Sequence, residues 1–155
     1  MKARATIICS RDGKILLVAR TRSRWSLPGG TIKPSESPLD AARRELEEET
    51  SLTGAELTYL FQFGGLSKRH LVFFVDLPED ASPEPRNEIS KCRWFSPIKI
   101  SALITSIPTR EIVDLFRAHE NLGELPSAVV DQRDGPAVNV ADTALQLIES
   151  QAIKE

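Results

Sequence analysis

The chain has 155 residues, enough for one domain whose core removes roughly two-thirds of the surface an unfolded chain exposes. It is 41% hydrophobic and 27% charged, its 8 Gly and 10 Pro follow no period, and no apolar run approaches the ~18 residues of a membrane span, which excludes fibrous, low-complexity and helical membrane classes. A net charge of −2 argues against a nucleic-acid coat, and two cysteines with no secretory-type leader point to the reducing cytoplasm.

In chain order, Ala5 to Ser10 and Ile15 to Ala19 are apolar and β-rich, and Arg11-Asp12-Gly13-Lys14 turns between them. The pattern predicts a hairpin. Thr21 to Ser26 is a polar loop, and Leu27-Pro28-Gly29-Gly30 breaks regular structure before a second loop from Thr31 to Ser37. Ser37 can cap a helix, Pro38 suits its first position, and Asp40 is an acid in its first turn. That helix is predicted to run to about Thr50, with Leu39, Ala42 and Leu46 facing the core and Gly54 at the exit.

Ala55 to Phe63 and Arg69 to Asp76 read as strands around a Gly64-Gly65 turn. Leu71 to Val75 is wholly apolar, which predicts a central strand buried on both faces. Leu77 to Ser90 is a long loop rich in Pro and acids, of a length that is often functional. Cys92 to Ser96 is a short strand, and Pro108 or Thr109 opens a second helix whose apolar positions are Ile112, Val113, Leu115 and Phe116. The domain is expected over residues 1–119. Residues 120–155 form a tail with a further helix at 141–153.

Charge is unevenly spread: residues 1–33 carry +7 and residues 120–155 carry −5. A polyanionic substrate and a cation could exploit such a division, and a solvated surface of mixed sign would also account for it.

The informative stretch is Gly30, five residues, Glu36, seven residues, then Arg44-Glu45-Leu46-Glu47-Glu48-Glu49-Thr50-Ser51-Leu52. At ~100° per residue Glu45, Glu48 and Glu49 fall within one arc beside the apolar stripe. Like charges so placed are unfavourable unless something positive lies among them, and hard carboxylate oxygens suit Mg²⁺ or Mn²⁺. An acidic solvated helix with outward Arg43–Glu47 and Arg44–Glu48 pairs is the plainer reading of the helix alone. It leaves the glycine bend and Glu36 unexplained.

This stretch resembles the Nudix box of the Nudix hydrolases: Gly, five, Glu, seven, Arg-Glu, aliphatic, any, Glu-Glu, any, Gly, aliphatic. Gly30, Glu36, Arg44, Glu45, Leu46, Glu48, Glu49 and Leu52 match, and Ser51 replaces the second Gly. Six fixed positions at background frequencies put a chance match on the order of 10⁻⁷ per window. Looser similarity to MutT-like members covers about residues 3 to 118. The resemblance implies an α+β fold, an α/β/α sandwich on a mixed sheet. It implies Glu45, Glu48, Glu49 and the Gly29 carbonyl as metal ligands, with Glu36 supporting them and Arg44 orienting the glutamates. Glu88 resembles a later-loop general base, with Glu84 the weaker candidate, and Arg20, Arg22 and Arg69 are candidates for binding phosphates. Trp25 and Trp94 are expected in the core or in strands, and His70 and His119 lack ligand spacing.

The implied activity is Mg²⁺-dependent hydrolysis (Mn²⁺ as a substitute) of a diphosphate linkage in a small phosphoanhydride, first a (d)NTP giving (d)NMP and pyrophosphate. A dinucleoside polyphosphate or a diphosphoinositol polyphosphate is the second choice. Mapping Arg20, Arg22, Arg24, Lys33, Lys68 and Arg69 to one surface would favour it. A non-catalytic nucleotide-sensing module is the reading from another class. No membrane or stable nucleic-acid partner is expected, and the tail offers a homodimer contact. Ser51 is expected to cost some stability at the helix exit without loss of chemistry.

Overall fold

The structure, a computed structural model, describes residues 2–123. The helix expected at 141–153 lies outside them. The element order is β1 (Lys2–Arg11), β2 (Lys14–Arg20), β3 (Gly29–Thr31), α1 (Pro38–Thr50), β4 (Thr58–Gly64), β5 (Lys68–Asp76), β6 (Ile89–Phe95), α2 (Pro97–Ser101) and α3 (Ile107–Leu122). No described helix is long and apolar enough to cross a membrane.

The strands form one mixed sheet in the order β4-β5-β1-β2-β6. β1 runs parallel to β5 from Lys2↔Lys68 to Ser10↔Asp76, and the other neighbours are antiparallel. The expected β1–β2 hairpin is present, with Asp12 and Gly13 at positive φ in its turn. Side chains alternate between two cores. Ala5, Ile7, Cys9, Leu16, Leu71, Phe73 and Val75 face α1 through Ala41, Ala42 and Leu46. Ile8, Ile15, Leu17, Val72 and Phe61 face α2 and α3 through Ile100, Ile112, Val113 and Phe116. This is the expected α/β/α sandwich, with β5 an inner strand. Trp25 packs edge-on against Phe95 at 5.0 Å between ring centres, and Trp94 lies under the Arg11 guanidinium at 4.3 Å, so both are packing residues.

Each helix starts alike. Ser37, Ser96 and Ser106 cap α1, α2 and α3 by accepting a bond from the backbone three residues on, and each helix has Pro at its first or second position. The segment Gly29–Thr31, expected as a break, is a strand because β1 pairs with it antiparallel at Arg4↔Thr31, Ala5↔Gly30 and Thr6↔Gly29. A Cβ on Gly29 would lie 2.2 Å from the Ala5 carbonyl oxygen, so only glycine allows this approach. The pairing lays the glycine bend along the middle of the sheet, under α1.

His70, also in the sheet, is buried, and its Nδ1 is 2.9 Å from the Thr6 hydroxyl. Burial first, then Arg4 and Lys68, lowers its pKa to about 4, so the ring is neutral at pH 7. The unfolded chain takes up this proton near pH 6.5 and the folded one does not, so this stability is complete above pH 6.5 and lost as pH falls toward 4. We expect wild type to lose about 2 kcal/mol more than His70→Gln between pH 7 and pH 4 in urea unfolding. Parallel profiles for the two proteins would refute this.

Candidate active site

α1 carries Glu45, Glu48 and Glu49 beside Arg44 at the edge of the core, and Arg44 ties the first two to Glu36. Its Nε donates to Glu36 Oε2 at 2.6 Å and its Nη2 to Glu36 Oε1 at 2.9 Å, a two-pronged pair. Its Nη1 donates to Glu45 Oε1 at 2.8 Å and Glu48 Oε2 at 3.1 Å, and Nη2 also reaches the Thr31 carbonyl at 3.2 Å. These bonds, led by those from Arg44, hold the Glu36 pKa down at about 2, and the Arg44 pKa is raised in return. Both Glu36 oxygens therefore face Arg44. Glu36, expected among the metal-site residues, stands in the structure as the anchor of the arginine. The Arg44–Glu48 pair forms as expected but inside this network, and Arg43 reaches Asp40 at 3.9 Å in place of Glu47.

Glu45 and Glu49 meet the glycine bend. A Cβ on Gly30 would lie 2.2 Å from Glu45 Oε1, so the missing side chain is the space the carboxylate fills. Glu49 is 6% exposed, accepts a bond from the Gly29 backbone N–H, and leaves Oε2 buried without a partner. Burial first, then the charge of Glu45, raises its pKa to about 7. Glu48, half exposed, stands at the outer side of the trio. As placed, no three His, Cys, Asp or Glu groups among the described residues form a ready cage, and the cation that Glu45 and Glu48 share is the Arg44 guanidinium. Even so, the donors fit a divalent ion: hard oxygens only, one of them buried and unpartnered, beside an exposed carboxylate.

The Gly29 carbonyl accepts a bond from Arg4 Nη2 at 2.9 Å. Arg4 then lines a cavity of about 460 Å³ with Arg20, Arg22, Arg24, Glu49 and Ile89. A second cavity, about 670 Å³, shares Arg4 and Arg24 and extends over Thr6 and His70 to the start of α3. Sequence reasoning counted Arg4 only as charge, whereas Arg24 was grouped with Arg20 and Arg22 as a possible phosphate clamp. The signal available was strand parity, which puts Arg4 on the face of Thr6. The same parity removes Arg69. It precedes His70 on β5, so its side chain lies on the opposite face, where its charge acts on Tyr59, and it lines neither cavity. Lys33 lines neither cavity, and Lys68 only the larger.

Glu88 enters from the loop after β5. Its Oε1 is 3.4 Å from Arg20 Nη2, and its charge adds, as the smallest contribution, to the upward shift at Glu49. Ser51 takes the left-handed conformation at the end of α1 (φ 65°) that the box glycine would adopt. Its hydroxyl donates to the Glu84 carbonyl at 3.1 Å, a bond that glycine could not make.

A family profile described as the NUDIX domain matches residues 1–116. The chain belongs to the NUDIX family. An RNA pyrophosphohydrolase of Bartonella henselae is 62% identical over 78 residues, 47% of this chain and 39% of that protein. The mouse diphosphoinositol polyphosphate phosphohydrolase 3-alpha is 41% identical over 104 residues, 61% of this chain and 63% of that protein. The NUDIX domain of Shewanella oneidensis NrtR, solved with ADP ribose, superposes with a TM-score of 0.67 at 19% identity, covering 79% of this chain and 88% of that one. Matches to the first curated relatives span half of their length or less. Nudix hydrolases generally depend on divalent metals, and α1 with its glycine bend is the Nudix box of this chain.

Proposed function

We propose that this Nudix domain is a Mg²⁺-dependent pyrophosphohydrolase that cleaves a diphosphate linkage in a nucleotide, first a (d)NTP to (d)NMP and pyrophosphate. The observation that carries the reading is Glu49, which keeps a buried, unpartnered oxygen at the glycine bend and lines a cavity with Arg4, Arg20, Arg22 and Arg24. Glu45, Glu48, Glu49 and the Gly29 carbonyl would hold the ion, which supplies charge neutralisation at the phosphates and a more acidic water. The arginines bind and orient the polyphosphate, in two-pronged fashion where geometry allows. Glu88 accepts the attacking water's proton, and in-line displacement releases the second phosphate group. Arg44 and Glu36 keep the carboxylates in place.

The larger cavity favours a nucleoside as the other moiety. Leu27, Ile107, Pro108 and Ile112 wall it, with the neutral Thr6–His70 pair among its polar groups. An inositol polyphosphate would need more cations along those walls than Arg4, Arg24 and Lys68, and of the six basic residues in question Lys33 and Arg69 line neither cavity. A diphosphoinositol or dinucleoside polyphosphate is retained as a second reading because of the 41% identity to the mouse enzyme.

The test is a panel of nucleoside triphosphates, dinucleoside polyphosphates, diphosphoinositol polyphosphates and a 5′-triphosphorylated oligonucleotide, scored for phosphate and pyrophosphate release. We expect nucleoside triphosphate turnover in Mg²⁺ that EDTA abolishes. Binding of nucleotide with no turnover of any panel member would instead make the domain a sensor.

A further inference from the structure

The last four carbonyls of a helix have no partner within it. In α1 all four are taken. Glu47 O receives the Ser51 N–H at 2.9 Å, Glu48 O the side-chain amide of Asn87 at 2.9 Å, Glu49 O the Arg86 N–H at 3.2 Å, and Thr50 O the Glu84 N–H at 2.8 Å. Three of the four donors come from one stretch of the loop between β5 and β6, and the Ser51 hydroxyl returns a bond to the Glu84 carbonyl. The end of the acid-bearing helix is thus capped by the segment that leads into Glu88.

Asn87 donates through its side chain, as Cys92 Sγ does at 3.9 Å to the Glu49 carbonyl, and it sits at φ 54°, a left-handed conformation that Asn tolerates better than most residues. The turn it makes aims the next residue, Glu88, at Arg20 in the cavity that Glu49 also lines. Without the Asn87 amide bond, the backbone around Glu88 would lose its tie to the Glu48 carbonyl. The ties that remain are the turn bond from the Ile89 N–H to the Arg86 carbonyl at 3.0 Å, the pairing of Ile89 with Arg20, and the Arg86 and Glu84 amides on α1.

We infer that Asn87 is a positioning residue: its amide, fixed on the Glu48 carbonyl, sets where the Glu88 carboxylate stands against the carboxylates of α1. The inference rests on the hydrolase reading above, with Glu88 as the base. Asn87 contacts no reacting atom. It acts by coupling two elements that each carry part of the machinery, so that the base and the acidic trio keep one relative placement.

Asn87→Gly retains the left-handed backbone and deletes the donor. Asn87→Asp retains the size and sets an acceptor against the Glu48 carbonyl. Both are expected to lower kcat about tenfold with KM within about twofold of wild type, as for groups that orient a reacting residue. In the Glu88→Gln background, Asn87→Gly should have no further effect on kcat, because the group it positions is gone. Hydrogen exchange of the Glu84 and Arg86 amides should speed up in Asn87→Gly while β1 and β5 amides keep their protection. Additive losses in the double variant, or unchanged exchange at Glu84 and Arg86, overturn the inference and leave the hydrolase reading standing. A Glu88→Gln variant with full kcat overturns the inference together with the base assignment. A wild-type protein that hydrolyses no panel member overturns the function and the inference at once.

Discussion

Glu49→Gln is expected to lower Mg²⁺-dependent kcat/KM by about 10²- to 10³-fold while leaving the metal-free fold at least as stable as wild type. The two effects have one cause. Glu49 is buried, one of its oxygens has no partner, and Glu45 and Glu88 add negative charge nearby. Without a cation, its charge is a burden that neutral Gln removes, worth about 1 kcal/mol, and Gln can still accept the Gly29 N–H. With a cation and a polyphosphate present, the same charge becomes the attraction that places them, at the scale measured for single electrostatic groups in active sites. Turnover of a nucleoside triphosphate and thermal unfolding in EDTA check the two halves. A third measurement separates a metal role from general damage: Mg²⁺ should raise the unfolding temperature of wild type more than that of the variant. A variant that keeps turnover within tenfold, or loses several kcal/mol in EDTA, would refute the assignment.

The features read correctly from sequence are those whose cause is local. Ser37 and Pro38 fix the start of α1, Leu46 and the alanines fix its buried face, and the apolar run Leu71 to Val75 fixes an inner strand. Glu45, Glu48 and Glu49 were legible as a group because helix periodicity alone gathers them. What was missed depends on partners distant in sequence. Gly29 and Gly30 have no strand preference, and they form β3 because β1 offers them a ladder. Arg4 reaches the site only because that ladder sets the Gly29 carbonyl beside its guanidinium. Arg69 was misplaced because the resemblance gave a position along β5, and one residue of register decides which face a side chain takes. α2 carried the same Ser-Pro signal as α1 at Ser96-Pro97, but its five residues are too short for periodicity to show. The role of Ser51 needed both ends in view, since its hydroxyl compensates the left-handed turn only through a loop more than thirty residues away.

Arg44→Ala is the substitution with the largest expected cost to the fold. The side chain makes five bonds, to Glu36 twice, to Glu45, to Glu48 and to the Thr31 carbonyl. Glu36 and Glu45 are only 14% and 13% exposed, so deleting the guanidinium leaves two shielded carboxylates without the cation they share. Breaking one side of such a network costs about 3 kcal/mol, or roughly 10 °C in unfolding temperature for a domain of this size. Glu48 adds little to that figure because it is half exposed and water already solvates it. Arg44→Lys should recover only a minor part: an ammonium offers one centre of charge and cannot span both Glu36 oxygens while reaching Glu45. Mg²⁺ should restore more stability to Arg44→Ala than it adds to wild type, since a divalent ion then meets carboxylates that no guanidinium holds. Turnover should still fall about 10- to 100-fold even with saturating metal, because the ion cannot also fix the angle at which Glu45 and Glu48 present their oxygens. Unfolding of wild type, Arg44→Ala and Arg44→Lys with EDTA and with Mg²⁺ tests the argument. If lysine matches arginine in EDTA, the pronged geometry is not what stabilises this corner, and charge alone would account for it.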